Sequence, residues 1–247
     1  MSSHPTASFS GISVVLLDIE GTVSDIRFVY DVMFPYAQQN MALFLKLHWN
    51  EPAVQTAIQQ ICADANKDPQ AWFGSSVDQA QQTLLTHLNQ LMANDSKSTG
   101  LKAIQGLVWK DGFESGAILA ELFDDVLPAL EKWNVSGKII SIYSSGSILA
   151  QQLFFGHTIH GDVTPLLSHY FDTTTGPKRE SISYISIAQA MQTPPSAILF
   201  VSDIGEELMA AMDAGFRVVA SVRPNNKPLL ETYVGPAVSS FADIAID

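Results

Sequence analysis

Four apolar runs rich in β-branched residues recur along the 247-residue chain: SVVLL (13–17), KIISIY (138–143), AILFVS (197–202) and FRVVAS (216–221). Short, near-continuous runs of this kind fit strands covered on both faces, hence a parallel sheet. Helical patterns lie between them. SILAQQLFF (147–155) follows the second run, SISYISIAQAM (181–191) precedes the third, and GEELMAAMDAG (205–215) joins the third to the fourth. This alternation predicts an α/β fold with a doubly wound, mostly parallel, Rossmann-like sheet.

One region breaks the rhythm. Between Val32 and Asn94 no strand pattern occurs, and AQQNMALFLKL (37–47), PAVQTAIQQICA (52–63) and VDQAQQTLLTHLNQLM (77–92) each read as an amphipathic helix. Pro52 and Pro69 fall near the breaks between them, and NDSKSTG (94–100) reads as a polar loop. The spacing predicts an all-helical cap domain, 31–105, inserted into a core domain formed by 1–30 and 106–247. Insertions are tolerated at loops, and loops beyond the carboxyl ends of strands form the binding crevice of an open sheet. A helical lid there would keep water from the chemistry; a helical extension used only for packing is the alternative.

Thirteen basic against 25 acidic residues give a formal charge of −12, a field that repels nucleic acid. Any anion site must therefore bring its own positive groups. The single cysteine, Cys62, excludes an intramolecular disulfide and cysteine-cluster metal sites, and its apolar-periodic setting predicts a buried thiol. No apolar segment approaches the roughly 20 residues that span a bilayer, and the first residues do not resemble a secretory signal. A soluble, cytoplasmic protein is expected, with nucleus and cytoplasm not distinguished. Without a heptad run or a clear apolar docking surface, a monomer is expected.

The chemistry-bearing residues stand at strand ends. VVLLDIEGTVS (14–24) places Asp18 at the end of the first predicted strand, Ser144 and Ser145 end the second, and Asp203 ends the third. In a parallel sheet these ends are neighbours. Two carboxylates brought together repel, and a divalent cation resolves the repulsion. Oxygen ligands without His or Cys favour Mg²⁺, an ion usually completed by waters and a substrate phosphate. Ser144-Ser145-Gly146-Ser147 at a helix start supplies hydroxyl and amide donors to an anion, unless the serines only cap that helix. Lys178 supplies a point charge, with Arg179 its nearest rival. Asp18, Ser145, Lys178, Asp203 and a metal ion thus fit phosphoryl transfer. Glu206 and Glu207 either orient the metal's waters or merely suit the first turn of a helix. His157, His160 and His169 lack a ligand spacing.

DIEGT (18–22), YSSGS (143–147), Lys178 within FDTTTGPKRES (171–181) and the Ser-Asp of 202–203 resemble the four motifs of the haloacid dehalogenase-like hydrolases. DIEGT through FVYDVMFPYA (18–37), GLVWKDGFESG (106–116) and SVRPNN (221–226) extend the likeness, along nearly the whole chain, to the enolase-phosphatase family of methionine salvage. That resemblance implies Asp18 as the phosphoryl-accepting nucleophile and a ligand of one Mg²⁺ per subunit, with Asp203 as another ligand. Glu20 stands where most of the superfamily's phosphatases carry a second aspartate. It is implied to join the catalytic and metal sets, through its side chain or its main-chain oxygen. Ser144, Ser145 and Lys178 are implied to bind the phosphorylated substrate, and Lys178 to orient Asp18. The implied substrate is 2,3-diketo-5-methylthiopentyl 1-phosphate, enolised and then dephosphorylated to an acireductone.

Phe28, Phe34, Tyr36 and Trp109 are candidates for the wall around a methylthio tail, or for ordinary core packing. Arg27 and Arg223 are candidates to help hold the phosphate, or to form salt bridges. Two other functions fit the same residues: a small-metabolite phosphatase without enolase activity, and a regulatory protein that binds metal and phosphate without turnover.

Overall fold

A computed structural model of the chain describes residues 6–74, 76–94, 96 and 98–247. Strands β1 (Ala7–Phe9) and β2 (Val14–Leu17) come first, followed by helices α1 (Phe34–His48), α2 (Pro52–Asp64), α3 (Pro69–Phe73), α4 (Val77–Ala93) and α5 (Thr99–Glu114). Then come α6 (Val126–Val135), β3 (Ile139–Tyr143), α7 (Ile148–Gly156), β4 (His169–Phe171), α8 (Ser181–Ala190) and β5 (Ile198–Ser202). The chain closes with α9 (Gly205–Asp213), β6 (Arg217–Ser221), β7 (Ala237–Val238) and β8 (Ile244–Ile246). Two compact units result: residues through Val29 with Leu119–Asp247, and Tyr30–Ile118.

The first unit is the expected doubly wound sheet. Its strands run β4-β3-β2-β5-β6-β7 and every neighbouring pair is parallel. β1 and β8 form a separate parallel pair. All four residues of β2 are buried, as a strand covered on both faces requires. On one face Val14, Leu16 and Phe200 pack with Tyr143, Tyr184, Ile187 and Leu208. Leu17 is in register with Ile142 of β3 and Val201 of β5. The next residues, Asp18, Tyr143 and Ser202, therefore emerge together at the carboxyl edge. From β2 the chain winds outward to β3 and β4, then crosses back to β5, so this edge lies at the reversal of strand order where open sheets bind ligands.

The second unit is all helical. Pro52 and Pro69 are the first residues of α2 and α3, where a missing N–H costs nothing. Asp68, Ser76 and Ser98 cap α3, α4 and α5 by accepting from the amides of Ala71, Gln79 and Leu101. Met41, Phe44, Leu45, Ile61, Leu84 and Ile104 anchor its core, with Cys62 buried among them. Of the polar loop expected over 94–100, Asp95 and Lys97 lie outside the described residues, and Thr99 and Gly100 already belong to α5. The expected boundary between 105 and 106 falls within α5, which runs unbroken through it. The helical unit continues to Ile118, whose amide donates to the Gly112 carbonyl at 3.0 Å.

Gly100 lets α5 approach α2. A methyl group on it would lie 2.6 Å from the backbone nitrogen of Ile61 and 2.8 Å from its Cα. Backbone cannot swing away as a side chain can. Gly100→Ala is expected to lower stability by about 1–3 kcal/mol despite alanine's better helix propensity. Urea denaturation checks this; an unchanged or raised midpoint would contradict the packing.

Candidate active site

β2 delivers Asp18 to the sheet edge, its amide donating to the Val201 carbonyl at 3.0 Å. The Asp18 side chain is buried. Its Oδ1 accepts from Lys178 Nζ at 2.6 Å and from the Ile19 amide at 2.9 Å, and its Oδ2 accepts from Ser202 Oγ at 3.2 Å. Lys178 Nζ also lies 2.7 Å from Glu207 Oε2, so one ammonium bridges two carboxylates. Ser202 Oγ sits between the same two groups, 3.1 Å from Glu207 Oε2.

The Lys178 segment is pinned from beneath. Tyr184 donates to the Lys178 carbonyl at 2.7 Å, Tyr143 to the Gly176 carbonyl at 2.9 Å and Ser183 to the Pro177 carbonyl at 2.7 Å. Burial alone would lower the basicity of the Lys178 ammonium. Asp18 and Glu207 outweigh that and hold it above the ordinary lysine value.

Negative charge exceeds positive charge here. Asp203 follows β5, and burial, then Asp18 and Glu207, push its carboxyl up to about 7. Burial and Asp18 also raise Glu207 in spite of Lys178. Glu20 is raised by burial first and Asp18 second, with Lys178 opposing. Glu20, Asp203 and Glu207 are thus each repelled by Asp18 and each offset in part by the same lysine, and Asp203 Oδ1 is buried without a hydrogen-bond partner. Gly21 (φ +72°) lets the chain pass close by: a methyl group there would lie 2.5 Å from Asp203 Oδ2. Hard oxygen donors, an orphaned carboxylate oxygen and excess negative charge fit a divalent cation of the Mg²⁺ type.

Among the described residues no three His, Cys, Asp or Glu side chains converge as metal ligands. The trio Asp18, Glu20 and Asp203 therefore does not form a three-carboxylate cluster. Glu20 is turned instead toward β3, its Oε2 accepting from Ser144 Oγ at 3.2 Å. A Mg²⁺ ion needs no such cluster, because it is commonly held by one or two carboxylates plus waters and a phosphate.

The serine motif divides its labour. Ser144 is buried, and its Oγ accepts from the Gly146 amide at 3.1 Å while donating to Glu20. Ser145 is exposed, and Ser147 caps α7 by accepting from the Ala150 amide at 3.3 Å. The Ile148 amide already donates to Asp172. Several of the amides expected to bind an anion are thus engaged internally, leaving the Ser145 side chain exposed.

Other candidates separate. Arg223 is committed to Asp125 through two 2.9 Å bonds and lies between the rings of Phe123 and Phe241, a salt bridge rather than a phosphate ligand. Arg27 is exposed. Phe28 packs edge-on against Phe154 in the core of the first unit. Phe34 and Trp109 meet in the helical unit, where Trp109 donates to the Met33 carbonyl, and half-buried Tyr36 sits against Gly112. His157 bonds the Leu153 carbonyl and His169 stacks on Phe171. Arg179 and Glu206 line a shallow surface depression with Asp213 and Thr232. The contacts of Ser202 with Asp18 and Glu207, and the direct Glu207–Lys178 bridge, go beyond the sequence expectations, which hold Ser202 only as part of a motif and Glu207 only beside the metal's waters or as a helix-start acid. Their signal is spacing: Glu207 lies one helical turn after Asp203, and Ser202 immediately precedes it.

A model of the haloacid dehalogenase-like hydrolases matches residues 12–215. Enolase-phosphatase E1 of Synechococcus elongatus is 45% identical over 219 residues, covering 87% of this chain and 90% of that one. Its counterpart in Pseudomonas aeruginosa is 42% identical over 236 residues, covering 96% and 99%. This chain belongs to the enolase-phosphatase E1 family of haloacid dehalogenase-like hydrolases. The UTR4 protein of Saccharomyces cerevisiae, solved by crystallography, superposes with a TM-score of 0.76 at 31% identity, covering 93% of this chain and 98% of that one. The α/β core and inserted helical cap are thus those of the family. Among the described residues no helix is long and apolar enough to cross a membrane.

Proposed function

We propose that this chain is a magnesium-dependent enolase-phosphatase. It enolises 2,3-diketo-5-methylthiopentyl 1-phosphate and hydrolyses the phosphate through an aspartyl-phosphate on Asp18, releasing 1,2-dihydroxy-3-keto-5-methylthiopentene in methionine salvage. The observation that carries this reading is the Asp18 carboxylate at the end of the central strand, 2.6 Å from Lys178 Nζ, in a chain that shares 45% identity with an enolase-phosphatase E1.

Asp18 and Asp203 are the side chains to hold the cation, with the main-chain oxygen of Glu20 as a third donor. When bound, Mg²⁺ supplies charge against the repulsion of two anions and Lewis acidity toward a carbonyl oxygen. The chain's own residues do the rest. A carboxylate oxygen of Asp18 attacks phosphorus, the bond from phosphorus to the ester oxygen breaks, and water later cleaves the acyl phosphate. Lys178 orients Asp18 and meets the charge on the equatorial phosphoryl oxygens. Glu207 and Ser202 keep Lys178 and Asp18 in register. Ser145 is the exposed hydroxyl available to substrate. Ser144 fixes Glu20, whose carboxyl holds a proton more tightly than an ordinary glutamate because of burial and the nearby Asp18.

The test follows the diketo phosphate by ultraviolet absorbance and released phosphate in one reaction. Both an enol product and stoichiometric phosphate are expected. Phosphate without any enol signal indicates a simple phosphatase, and neither signal indicates a binding protein.

The cluster also sets a pH dependence for the metal-free protein. Asp203 at about 7 when folded, against about 3.9 when unfolded, keeps a proton that the unfolded chain gives up. Its stabilising contribution is full below the unfolded value and is lost as pH rises through about 7. A divalent cation held by Asp203 would compete with that proton. The rise in thermal midpoint on adding Mg²⁺ is expected to be larger near about pH 8 than near about pH 5.5. Equal increments at the two pH values would contradict binding at Asp203.

A further inference from the structure

We propose that Asn226 is a positioning residue of the carboxylate cluster: its amide nitrogen locks the Gly21 carbonyl while its oxygen faces the cation side of Asp203. The inference rests on the reading that a divalent ion binds beside Asp203.

Asn226 lies in the loop after β6. Its Nδ2 donates to the Gly21 carbonyl at 2.9 Å and to the Ser221 carbonyl at 3.2 Å. Two carbonyl acceptors on one side fix the orientation of the amide, because the reversed amide would set its oxygen against both. Oδ1 must therefore point the other way, and there it is buried without a hydrogen-bond partner. A methyl group on Gly21 would lie 2.7 Å from this oxygen and 2.5 Å from Asp203 Oδ2. The two acceptors thus crowd the same side of Gly21, where a methyl group has no room. Asp203 Oδ1 is likewise buried and unpartnered. Acceptors gathered without a donor cost free energy unless a cation, or water bound to one, faces them.

The same loop holds the next carbonyl as well. Arg223 Nε donates to the Thr22 oxygen at 3.2 Å, and its guanidinium is fixed in turn by Asp125. The loop thereby grips two successive carbonyls of the turn that follows Glu20. Only an amide at 226 provides both halves of the arrangement. Aspartate would set an acceptor against the carbonyls of Gly21 and Ser221, and leucine would remove both the donor and the acceptor.

Titrating Mg²⁺ into the substrate-free protein by calorimetry tests this without relying on turnover. Asn226→Ala is expected to weaken Mg²⁺ affinity about tenfold or more, the usual cost of losing a group that orients metal ligands. Asn225→Gly is the control. Asn225 has φ +67°, which glycine accepts, and its side chain bonds Asp25 instead. That variant is expected to bind Mg²⁺ as the unaltered protein does. An Asn226→Ala protein with undiminished Mg²⁺ affinity overturns the proposal. Should that variant fail to fold, the side-chain amide resonance of Asn226 in the unaltered protein is expected to shift as Mg²⁺ is added, and a resonance that stays fixed overturns it. Absence of Mg²⁺ binding by the unaltered protein would instead sink the functional reading beneath it, and this inference with it.

Discussion

Asp18→Asn is expected to cut phosphate release by a factor on the order of 10⁴ or more while leaving the protein folded. The amide has nearly the same shape as the carboxylate, so packing at the end of β2 is kept. Its nitrogen is not nucleophilic, and its neutrality removes the charge that Lys178 Nζ meets at 2.6 Å. The substitution also takes one negative charge from a site where Asp18 raises the proton affinity of Glu20, Asp203 and Glu207 alike. Metal-free stability should therefore be unchanged or higher, even as activity disappears. Turnover in Mg²⁺ and thermal midpoint in chelator, measured on the same preparation, separate the two effects. Activity within about tenfold of the unaltered enzyme would remove Asp18 as nucleophile.

Lys178→Ala should cost about 10²–10⁴-fold in turnover. The ammonium is the only cationic partner that Asp18 and Glu207 have among the described ion pairs, at 2.6 and 2.7 Å. Without it, both the attacking carboxylate and the phosphoryl oxygens lose a compensating charge. Breaking a buried pair commonly costs about 3–5 kcal/mol. Here protonation of the crowded carboxylates relieves part of the strain, so the variant should lose less stability near about pH 6 than near about pH 8. Lys178→Arg should rescue poorly, because a planar guanidinium does not fit a niche that places one nitrogen against two carboxylate oxygens. A near-normal rate for Lys178→Ala would move the lysine out of the chemistry. Steady-state kinetics with saturating Mg²⁺ gives the answer.

The central sheet was legible because its strands are written as uninterrupted apolar runs bounded by turn residues. SVVLL, KIISIY, AILFVS and FRVVAS each became a strand within one residue of the expected start. β1, β4, β7 and β8 have only two or three residues, too few to display a period of two. α5 was hidden by its composition. Gly100, Gly106 and Gly112 lower its local helix propensity, yet Gly100 faces Ile61 and Gly112 faces Tyr36 and Ile118 with no room for a methyl group. Tertiary packing needs Gly100 and Gly112 where local propensity counts against them. The missed α5 also misplaced the expected domain boundary.

At the candidate site, the sequence placed Asp18, Ser144, Ser145 and Asp203 at strand ends, and the parallel register gathers those ends at one edge. What sequence did not carry was side-chain direction. Nothing local turns Glu20 toward Ser144 or Glu207 toward Lys178. Those choices arise from crowding of like charge around a single ammonium, a property of the assembled site. Asn226 is hidden for the same reason, since its partners Gly21 and Ser221 are brought to it only by folding.

The most direct test is a single-turnover reaction in Mg²⁺, quenched with acid within the first turnover and followed by peptide mass analysis. A phosphoryl adduct on the peptide carrying Asp18, formed and lost at rates that account for phosphate release, is the expected result. Full turnover with that peptide unmodified at every time point, or an adduct on another residue, would contradict attack by Asp18.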